Sequence, residues 1–496
     1  MTDNTGLVGF PAQTLETSVT KVPGGGPATP SISYSDHFLK WELIRDLLGG
    51  TGAMRSAAYK WLPMEEKERY PQYLQRLGRT FLYNGLGNSV GRIVSKPFSK
   101  SVVLKGSLPE QLKAIESDSD FEGTDLTQFF RNVFEVGVQY GLCHVLVDYP
   151  AISRPTLDAQ RRFNIHPYFK LVHPLDLIGY KFDKDPFTHK PFLTQIRVRE
   201  TDIREDPDYG ETKVNVILEW NSDGSWVRYF SETESDWKVL SEGTHTFSGR
   251  VPMATFYSKK LGFMTAEPPL MDLAWLNLAH WQSSSEQRNI LRVARFPILH
   301  ETGISPDQAN EPVVLGPFNA VRSTDPDAKL SWVEHTGKAI GSGEKDLETL
   351  KTEMEIMGLQ PFVQPAVRSR TATEVVGIES RTMTSVQAWI RGLENTISQC
   401  FNLAAAWSKE IIPEDFSVDV FNEFGLSFKA EQDMRALDAA RSRGDIDQKT
   451  YLQELVRRQV VSSEMDIDAV MEQSKKEQPT DSPNRNSPLD TRIGTI

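Results

Sequence analysis

The pattern of apolar and polar positions in the middle of the chain predicts a long helix that leaves the protein body. The helix starts at Pro268-Pro269, because proline's fixed φ suits a first helical turn, and extends to about Arg295. Residues 270–281 (LMDLAWLNLAHW) are apolar around most of the helix, whereas residues 282–289 (QSSSEQRN) have no apolar face. We therefore expect the first half in a core and the second half to project from it.

A second helix is predicted to return after a short β-rich segment. Ser342 is a suitable N-cap, and Gly358 ends the helix as a residue that tolerates a left-handed conformation. The apolar side chains between them follow a spacing of three and four residues and form one narrow seam: Leu347, Leu350, Met354 and Met357.

Antiparallel pairing of the two helices would bring together two sets of opposite charges. The basic set is Arg288, Arg292 and Arg295, and the acidic set is Glu344, Asp346 and Glu348. Each set also suits the dipole at its own helix end. Two interpretations remain open at this point: a projecting helical stalk, or an ordinary helical hairpin inside a globular domain.

The chain before the stalk reads as helices followed by an antiparallel sheet. The predicted helices cover His37–Leu48, Tyr73–Val94 and Leu126–Tyr140, the last closed by Gly141. The predicted strands are Val102–Leu104, Cys143–Asp148, Thr194–Arg199, Val214–Trp220, Trp226–Phe230 and Trp237–Leu240. The spacing of roughly ten residues per strand from His166 to Tyr257 indicates antiparallel pairing.

The chain after the stalk is predicted to be helical. Thr371 and Glu374 form a capping box, and apolar residues at heptad spacing continue to Trp407, which predicts a helix about 60 Å long. Three shorter helices follow at Ala430–Arg443, Gln448–Arg458 and Ser463–Lys475, with Gly444 as a C-terminal stop.

Composition describes a mildly acidic protein that is too long for one compact core. The 496 residues carry a net charge of −12, so there is no general basic footprint for nucleic acid. Cys143 and Cys400 lie among apolar neighbours, which favours buried free thiols in a reducing compartment. The N-terminus lacks a leader pattern, and no apolar run approaches the ~20 residues of a membrane helix. We expect a protein made in the cytoplasm, with no membrane partner.

Motifs for enzymatic chemistry are weak. Residues 87–91 match G-x-S-x-G, which would make Ser89 the nucleophile of an α+β hydrolase, but the motif falls in a helical pattern without a preceding strand. Residues 118–123 resemble the start of a calcium loop, yet Phe129 stands where a bidentate Glu is required. The histidines show no metal-ligand spacing, and Gly337-Lys338 lacks the other residues of a P-loop. We expect no catalytic residue, no metal and no cofactor.

Arg368 and Arg370 form the one basic pair whose position suggests contact with DNA. They lie in the loop between the returning helix and the long helix. Contact with phosphate groups is one interpretation, and a solvated loop without a ligand is the other.

The order of motifs resembles the portal proteins of tailed bacteriophages, and most of all a subgroup often recorded only as a domain of unknown function. The motifs that carry the resemblance are Trp41–Thr51 (WELIRDLLGGT), Ser95–Ser99 (SKPFS), Val147–Pro150 (VDYP), the helix from Pro268 through Pro297–Leu299, Val314–Pro317 (VLGP), Val333–Gly337 (VEHTG) and Thr371–Glu374 (TATE). The resemblance covers residues from about 36 to 475.

The resemblance implies an α+β portal fold that assembles as a ring. Its parts would be a flexible arm (1–33), an α/β wing (34–265), a first stem helix (266–295), a β-containing clip (296–341), a second stem helix (342–359), a channel loop (360–370), a long spine helix of the wing (371–411), a helical crown (412–476) and a disordered tail (477–496).

The function that the resemblance implies is that of a channel at a unique capsid vertex. A ring of about twelve copies would pass double-stranded DNA during packaging and ejection. Its other partners would be the large terminase subunit, a head-completion or tail adaptor protein, and the major capsid and scaffolding proteins, and it would be found in the virion and, during assembly, in the host cytoplasm.

Carboxylates on the returning helix would repel phosphate groups if they face the channel: Glu344, Asp346, Glu348, Glu353 and Glu355. Two alternatives from other classes are the hydrolase that uses Ser89 and a phage adaptor protein that does not form a ring.

Overall fold

A computed structural model describes most of the chain. The described residues are 25–150, 165–205, 208–233, 236–295, 298–302, 327, 329–333, 338–358, 372–422, 430–457 and 470–471. The first 24 residues of the predicted arm, the predicted tail, the predicted channel loop, and most of the clip and of the third crown helix lie outside these ranges.

The described chain mixes helices and antiparallel sheet, so the predicted α+β class is confirmed. The helices are α1 (Ile32–Leu48), α2 (Gly50–Ala57), α3 (Tyr70–Arg79), α4 (Gly85–Ser95), α5 (Glu110–Ser117), α6 (Leu126–Tyr140), α7 (Met271–Ala294), α8 (Lys338–Met357), α9 (Ala372–Ser408), α10 (Ala430–Arg443) and α11 (Gln448–Arg457), with short 3₁₀ turns at Ala58–Lys60 and Pro97–Ser99. The strands are β1 (Val103–Lys105), β2 (Leu142–Asp148), β3 (Tyr168–Val172), β4 (Leu177–Lys184), β5 (Pro191–Glu205), β6 (Glu211–Asn221), β7 (Ser225–Ser231), β8 (Lys238–Thr244), β9 (Met253–Tyr257), β10 (Lys260–Gly262), β11 (Thr265–Ala266), β12 (Ile298–Thr302), β13 (Lys329–Val333) and β14 (Ser417–Asp419).

The predicted antiparallel sheet is present as the five strands β4-β5-β6-β7-β8 in sequential order. A second sheet has the order β3-β2-β9, with β2 at its centre. Residues 142–147 of β2 are all buried, which explains why this strand reads as a continuous apolar run. Gly137 of α6 and Gly392 of α9 both face Phe256 of β9, so the two helices pack on the same sheet.

Gly141 connects α6 to β2 in a way that requires glycine. Its φ is +94°, and a Cβ at this position would lie 2.7 Å from the backbone carbonyl of Glu267. The predicted end of α6 at this residue is confirmed.

The prediction of one helix over Tyr73–Val94 is wrong, because the chain breaks between Arg79 and Gly85. Arg55 donates to the carbonyl oxygen of Thr80 at 3.0 Å, and the Thr51 hydroxyl accepts from the Leu82 amide at 3.2 Å. Backbone groups that a continuous helix would pair internally therefore find partners on α2. Asn84 then caps α4 by accepting from the Gly87 amide at 2.9 Å.

Two other helix starts differ from the prediction. Helix α1 begins at Ile32, earlier than His37, because the Ser31 hydroxyl caps the Tyr34 amide. Helix α8 begins at Lys338, so Ser342 lies inside the helix and is not its N-cap. A contact with α7, described below, holds this additional turn.

The chain divides into two compact units, Met1–Asn422 and Glu423–Ile496. The first unit includes β14, which pairs with β1, so residues from the start of the predicted crown belong to it. The second unit contains α10 and α11, and Gly444 ends α10 with φ +82° as expected.

Candidate functional site: the helical hairpin

The base of α7 is anchored in the core by both apolar and polar contacts. Trp281 and Ala274 are fully buried, as the apolar pattern predicts. Asn277 is also fully buried, and its amide accepts from the Leu86 amide at 2.9 Å and donates to the Tyr83 carbonyl at 2.8 Å. This one side chain therefore holds both the break before α4 and the first turn of α4.

The polar half of α7 is not free of the body, so the prediction that it projects is wrong for this half of the helix. Ser284, Ser285 and Gln287 are only 8%, 1% and 5% exposed. The Ser285 hydroxyl accepts from the Thr80 hydroxyl at 2.9 Å and from Arg76 at 3.4 Å. Polar side chains pack here because their hydrogen bonds are satisfied, which an analysis of apolar periodicity cannot detect.

Arg76 is the buried charge that makes this polar packing possible. It is 5% exposed and donates two hydrogen bonds to the Glu68 carboxylate, at 2.8 and 2.6 Å. A further bond goes to the carbonyl oxygen of Pro63 at 2.9 Å. The bonds from Arg76 lower the pKa of Glu68 and keep it ionised.

Helices α3 and α8 lie on opposite sides of α7. Ser285 faces α3, whereas Ser283 donates to Asp346 of α8 at 2.6 Å and Gln287 donates to the Ile340 carbonyl at 2.9 Å. At 100° per residue, Ser285 is about 160° from both α8-facing residues. The bond to Ile340 attaches the additional first turn of α8, before Ser342, to α7.

The predicted apolar seam of α8 is confirmed at Met354, but the prediction is wrong at Met357. Met354 is 2% exposed and lies beside Gly85 of α4, while Leu347 and Leu350 are half-buried. Met357 is 49% exposed and does not join the seam.

The predicted pairing between the arginines of α7 and the carboxylates of α8 is not the arrangement in the structure. Asp346 accepts from Ser283, and the Arg288 guanidinium lies 5.0 Å from the ring centroid of Phe81. Arg292 donates to Gln75 at 3.0 Å, and Arg295 is exposed. The reason is register: the acidic turns of α8 lie opposite the middle of α7, so the arginines extend beyond them.

The five predicted channel-wall carboxylates lie on two different flanks of α8. Glu344, Glu348 and Glu355 fall within about 40° of one another, next to Lys351, which stands 5.3 Å from the Tyr83 ring. Asp346 and Glu353 lie on the opposite flank, and Lys345 lies between the two flanks.

The flank with Asp346 and Glu353 continues onto α7 as an acidic surface that sequence reasoning missed. Asp272 and Glu286 are exposed and lie about 40° apart on α7, and Glu286 is about 180° from Asn277, which faces the body. We call these four carboxylates the back face of the hairpin. Among the described side chains of α7 and α8, no lysine or arginine shares it. The sequence contained a signal for this surface, because Asp272 and Glu286 fall on the same side of a helix.

An arginine cluster surrounds the end of α3. Phe81 is 53% exposed, and the guanidinium groups of Arg55 and Arg288 lie 4.9 and 5.0 Å from the centroid of its ring. Arg79 and Arg292 share Gln75, at 3.5 and 3.0 Å. Among the described residues, none of these four arginines forms an ion pair, so their charges remain available to an acidic ligand.

The predicted DNA-contact residues Arg368 and Arg370 lie outside the described residues. At the far end of the hairpin, β12 pairs with β13 in antiparallel register from Ile298–Val333 to Thr302–Lys329, so the described part of the predicted β-rich segment contains a strand pair.

Ser89 occupies a helix contact. It lies inside α4 and is 1% exposed, and its hydroxyl donates to the Gly85 carbonyl at 2.9 Å. Gly358 packs directly against Ser89, so the small residues of this motif serve a close approach between α4 and the end of α8. A nucleophile elbow instead requires a strand before the serine and an exposed hydroxyl.

The carboxylates of the calcium-like turn are hydrogen-bonded to backbone amides of the same turn. In the calcium-like turn, Asp120 accepts from the amides of Glu122 and Thr124, and Asp118 accepts from the Gly123 amide. No group of three or more His, Cys, Asp or Glu side chains in the described chain is placed to hold a metal.

Both cysteines are buried free thiols, as predicted, and burial raises the pKa of each. In the described part of the chain, no helix combines the length and the apolar character needed to cross a membrane.

Comparison with known proteins places a family match on the hairpin and the long helix. Residues 269–408 match a family described as a domain of unknown function (DUF4055). No curated protein matches the chain.

Three solved structures are similar to this chain over about three quarters of its length. A chain from the virion of a native gene transfer agent particle is 10% identical with a TM-score of 0.42, over 74% of this chain and 88% of the matched chain. A chain from the neck of the native particle, computed with C12 symmetry, is 10% identical with a TM-score of 0.39, over 75% and 89%. A chain from the neck of the empty particle, computed with C6 symmetry, gives 10%, 0.42, 74% and 88%.

Proposed function

We propose that the protein is a portal: a structural ring without catalysis of its own, through which double-stranded DNA enters and leaves a phage-type capsid. The proposal includes the predicted partners, namely terminase, a head-completion or tail adaptor protein, and the capsid and scaffolding proteins. It rests on the succession of portal-like motifs along the chain and on the geometry of the hairpin.

The observation that carries the proposal is the asymmetry of the hairpin. On one side, Asn277 and Trp281 anchor α7 in the body. On the other side, the back face exposes Asp272, Glu286, Asp346 and Glu353. A DNA conduit must let its cargo slide, and a wall of carboxylates repels phosphate groups and prevents tight binding.

The proposal assigns the back face to the channel wall and divides the five predicted carboxylates of α8 between two roles. Asp346 and Glu353 would face DNA, while Glu344, Glu348 and Glu355 would face away from it. The other parts of the hairpin fit the same assignment, since β12 and β13 at its far end would form the clip that docks partners.

Negative-stain microscopy combined with a mass measurement of the purified protein tests the proposal. We expect rings of about twelve copies with an axial hole. A chain that stays monomeric across protein and salt concentrations would overturn the proposal, and an assembly without an axial hole would support the adaptor alternative instead.

A further inference from the structure

The arginine cluster at the end of α3 carries positive charge that no described carboxylate compensates. Its members are Arg55, Arg79, Arg288 and Arg292. The chain has a net charge of −12, so carboxylates are abundant, yet none of the four arginines forms an ion pair with a described residue. Like charges that lie together repel one another, so the cluster favours an anion from outside the chain.

Neutral acceptors hold three of the four guanidinium groups in place. Arg55 donates to the Thr80 carbonyl oxygen at 3.0 and 3.2 Å. Arg79 donates to the Gln75 carbonyl oxygen at 2.7 Å, and Arg79 and Arg292 both donate to the side-chain oxygen of Gln75. These bonds order the arginines without cancelling their charge, so an anion that binds them immobilises little that is not already fixed.

Arg79 and Arg292 are close enough to repel each other. They share one acceptor atom on Gln75. Burial, and then the positive charge of Arg292, lowers the pKa of Arg79. A carboxylate placed between the two guanidinium groups would accept charge-assisted hydrogen bonds from both and relieve this repulsion.

Phe81 adds an exposed apolar surface to the cluster. Its side chain is 53% exposed, and the guanidinium groups of Arg55 and Arg288 lie 4.9 and 5.0 Å from its ring centroid. Aromatic side chains and arginines are the residue types that protein–protein interfaces favour. The cluster therefore suits a ligand that carries both carboxylates and an apolar side chain.

The cluster and the back face lie on different sides of α7. Arg288 and Arg292 fall within about 60° of Asn277 around the helix axis, on the side that faces the body. Both arginines are at least about 120° from Glu286 of the back face. The cluster therefore meets a different partner from any ligand that passes the back face.

The size of the cluster favours a short peptide over nucleic acid. Arg288 and Arg292 are one helical turn apart, about 6 Å along the axis. Beyond Phe81 the chain reaches Tyr83, where Lys351 lies 5.3 Å from the ring, and the α8 flank with three of the predicted channel-wall carboxylates lies next to this lysine. Four arginines neutralise at most about four phosphate groups, whereas salt-sensitive DNA-binding proteins contact about 6–10. The carboxylates of α8 would also repel a longer polyanion.

We propose that the arginine cluster binds an acidic segment of a partner protein, with carboxylates on the guanidinium groups and an apolar side chain on Phe81. The inference goes beyond the proposed function, because it concerns the side of α7 away from the back face and does not depend on ring formation.

Binding of a labelled peptide to the full-length protein tests the contact. The probe is a short peptide of glutamates with one phenylalanine, and fluorescence anisotropy gives its Kd. We expect Arg79→Gln with Arg292→Gln to raise the Kd at least ~10-fold, because charge-assisted hydrogen bonds are lost. The control, Arg250→Gln with Arg391→Gln, removes the same charge at two exposed positions outside the cluster and should raise the Kd less than ~3-fold.

A second measurement isolates the apolar part of the contact. Serine in place of the phenylalanine leaves the charge of the peptide unchanged and should weaken binding to the wild type about 3–10-fold, because Phe81 loses its aromatic partner. The same change in the peptide should have little effect on binding to Phe81→Ser.

Several outcomes would overturn the inference. They are a wild type that binds no acidic peptide, equal weakening in the cluster variant and its control, and a peptide whose phenylalanine makes no difference. A DNA duplex that binds more tightly than the peptide and requires Arg79 and Arg292 would assign the cluster to nucleic acid instead.

Assembly distinguishes this inference from the proposed function. We expect Arg79→Gln with Arg292→Gln to assemble as the wild type does while it loses the peptide. Loss of assembly in this variant alone would assign the cluster to a contact between copies and overturn the inference. A wild type that binds the peptide but never assembles would overturn the portal and leave the arginine cluster as a peptide site.

Discussion

At the scale of single residues, the structure depends on close contacts that a sequence pattern does not reveal. Gly137 of α6 lies against Phe256, and a Cβ would clash with its ring. Gly91 of α4 is also inside a helix, but a Cβ there would meet nothing within 4 Å. The two glycines thus have opposite roles despite similar local sequence.

We expect Gly137→Ala to lower the free energy of unfolding by about 1–3 kcal/mol, because the Phe256 ring must move in a packed core. Gly91→Ala is the matched control and should raise stability by up to about 1 kcal/mol through helix propensity. Urea unfolding monitored by circular dichroism measures both. Equal effects of the two substitutions would contradict this account of Gly137.

His280 should make stability depend on pH. It is 4% exposed, both ring nitrogens lack hydrogen-bond partners among the described residues, and its ring centroid is 5.4 Å from that of Tyr83. Burial, and then the charge of Lys351, lowers the pKa of His280 to about 4, while Asp346 acts weakly in the opposite direction. The imidazole therefore stays neutral in the folded chain at neutral pH.

The sign of the effect follows from this lowered pKa. The unfolded chain binds a proton near pH 6.5 and the folded chain only near pH 4, so stability is lost as pH falls through that window. Relative to His280→Phe, we expect the wild type to lose up to about 3 kcal/mol between pH 7 and 4. His144 and His173 titrate in both proteins, so the difference isolates His280. A difference that does not change with pH would show that His280 is not held neutral.

At the scale of elements, α7 shows how a polar sequence can lie in a core. Its N-terminal half is buried by apolar packing. In its C-terminal half, Ser285 is hydrogen-bonded to Thr80 and Arg76 on one side of the helix, and Gln287 is hydrogen-bonded to Ile340 on the other side. The C-terminal half of the helix is thereby held between α3 and α8.

Asn277→Ala should destabilise the seat of α7 by about 2–4 kcal/mol, because the Leu86 amide and the Tyr83 carbonyl lose their buried partner. The control is Asn289→Ala on the same helix, at a half-buried position about 120° around the axis from Asn277, and it should change stability by no more than about 0.5 kcal/mol. Chemical denaturation gives the two free energies, and hydrogen exchange should show faster opening of the first turn of α4 only in Asn277→Ala. Loss of stability without faster exchange at α4 would argue against the role of Asn277 in holding the first turn of α4.

At the scale of the whole molecule, the back face links the hairpin to the proposed channel. Its carboxylates come from two helices that are distant in sequence, and only their antiparallel contact makes them one surface. Asn277 and Trp281 lie on the side of α7 that faces the body, whereas Asp272 and Glu286 lie on the opposite side.

Neutralising the back face should increase DNA binding by the assembled protein. We expect Asp272→Asn, Glu286→Gln and Glu353→Gln together to raise affinity for a DNA duplex roughly 10-fold at low salt, with the gain shrinking as salt screens the charges. The control, Glu110→Gln, Glu116→Gln and Glu122→Gln, removes the same charge from the body surface and should have a smaller effect. Equal gains in both variants would point to net charge alone and would contradict a channel role for the back face.

The sequence by itself determined the elements whose signals are local. Apolar periodicity and end signals placed α6 with Gly141, the long helix α9, four strands of the five-stranded antiparallel sheet and the two helices of the hairpin. The spacing of apolar residues along a helix or strand identifies its buried face, and tertiary contacts only reinforce that preference. The buried state of both cysteines was predictable for the same reason.

Only the tertiary structure decided the break between α3 and α4, the burial of Ser285 and Gln287, and the register that separates Arg288 and Arg292 from the carboxylates of α8. Each of these depends on a hydrogen bond or ring contact to an element far away in the chain, such as Arg55 to Thr80 or Ser283 to Asp346. A polar side chain carries no signal of its distant partner, since the same residue suits solvent equally well. For that reason the sequence predicted a charged stalk, but only the tertiary structure showed which of its charges lie on the same face.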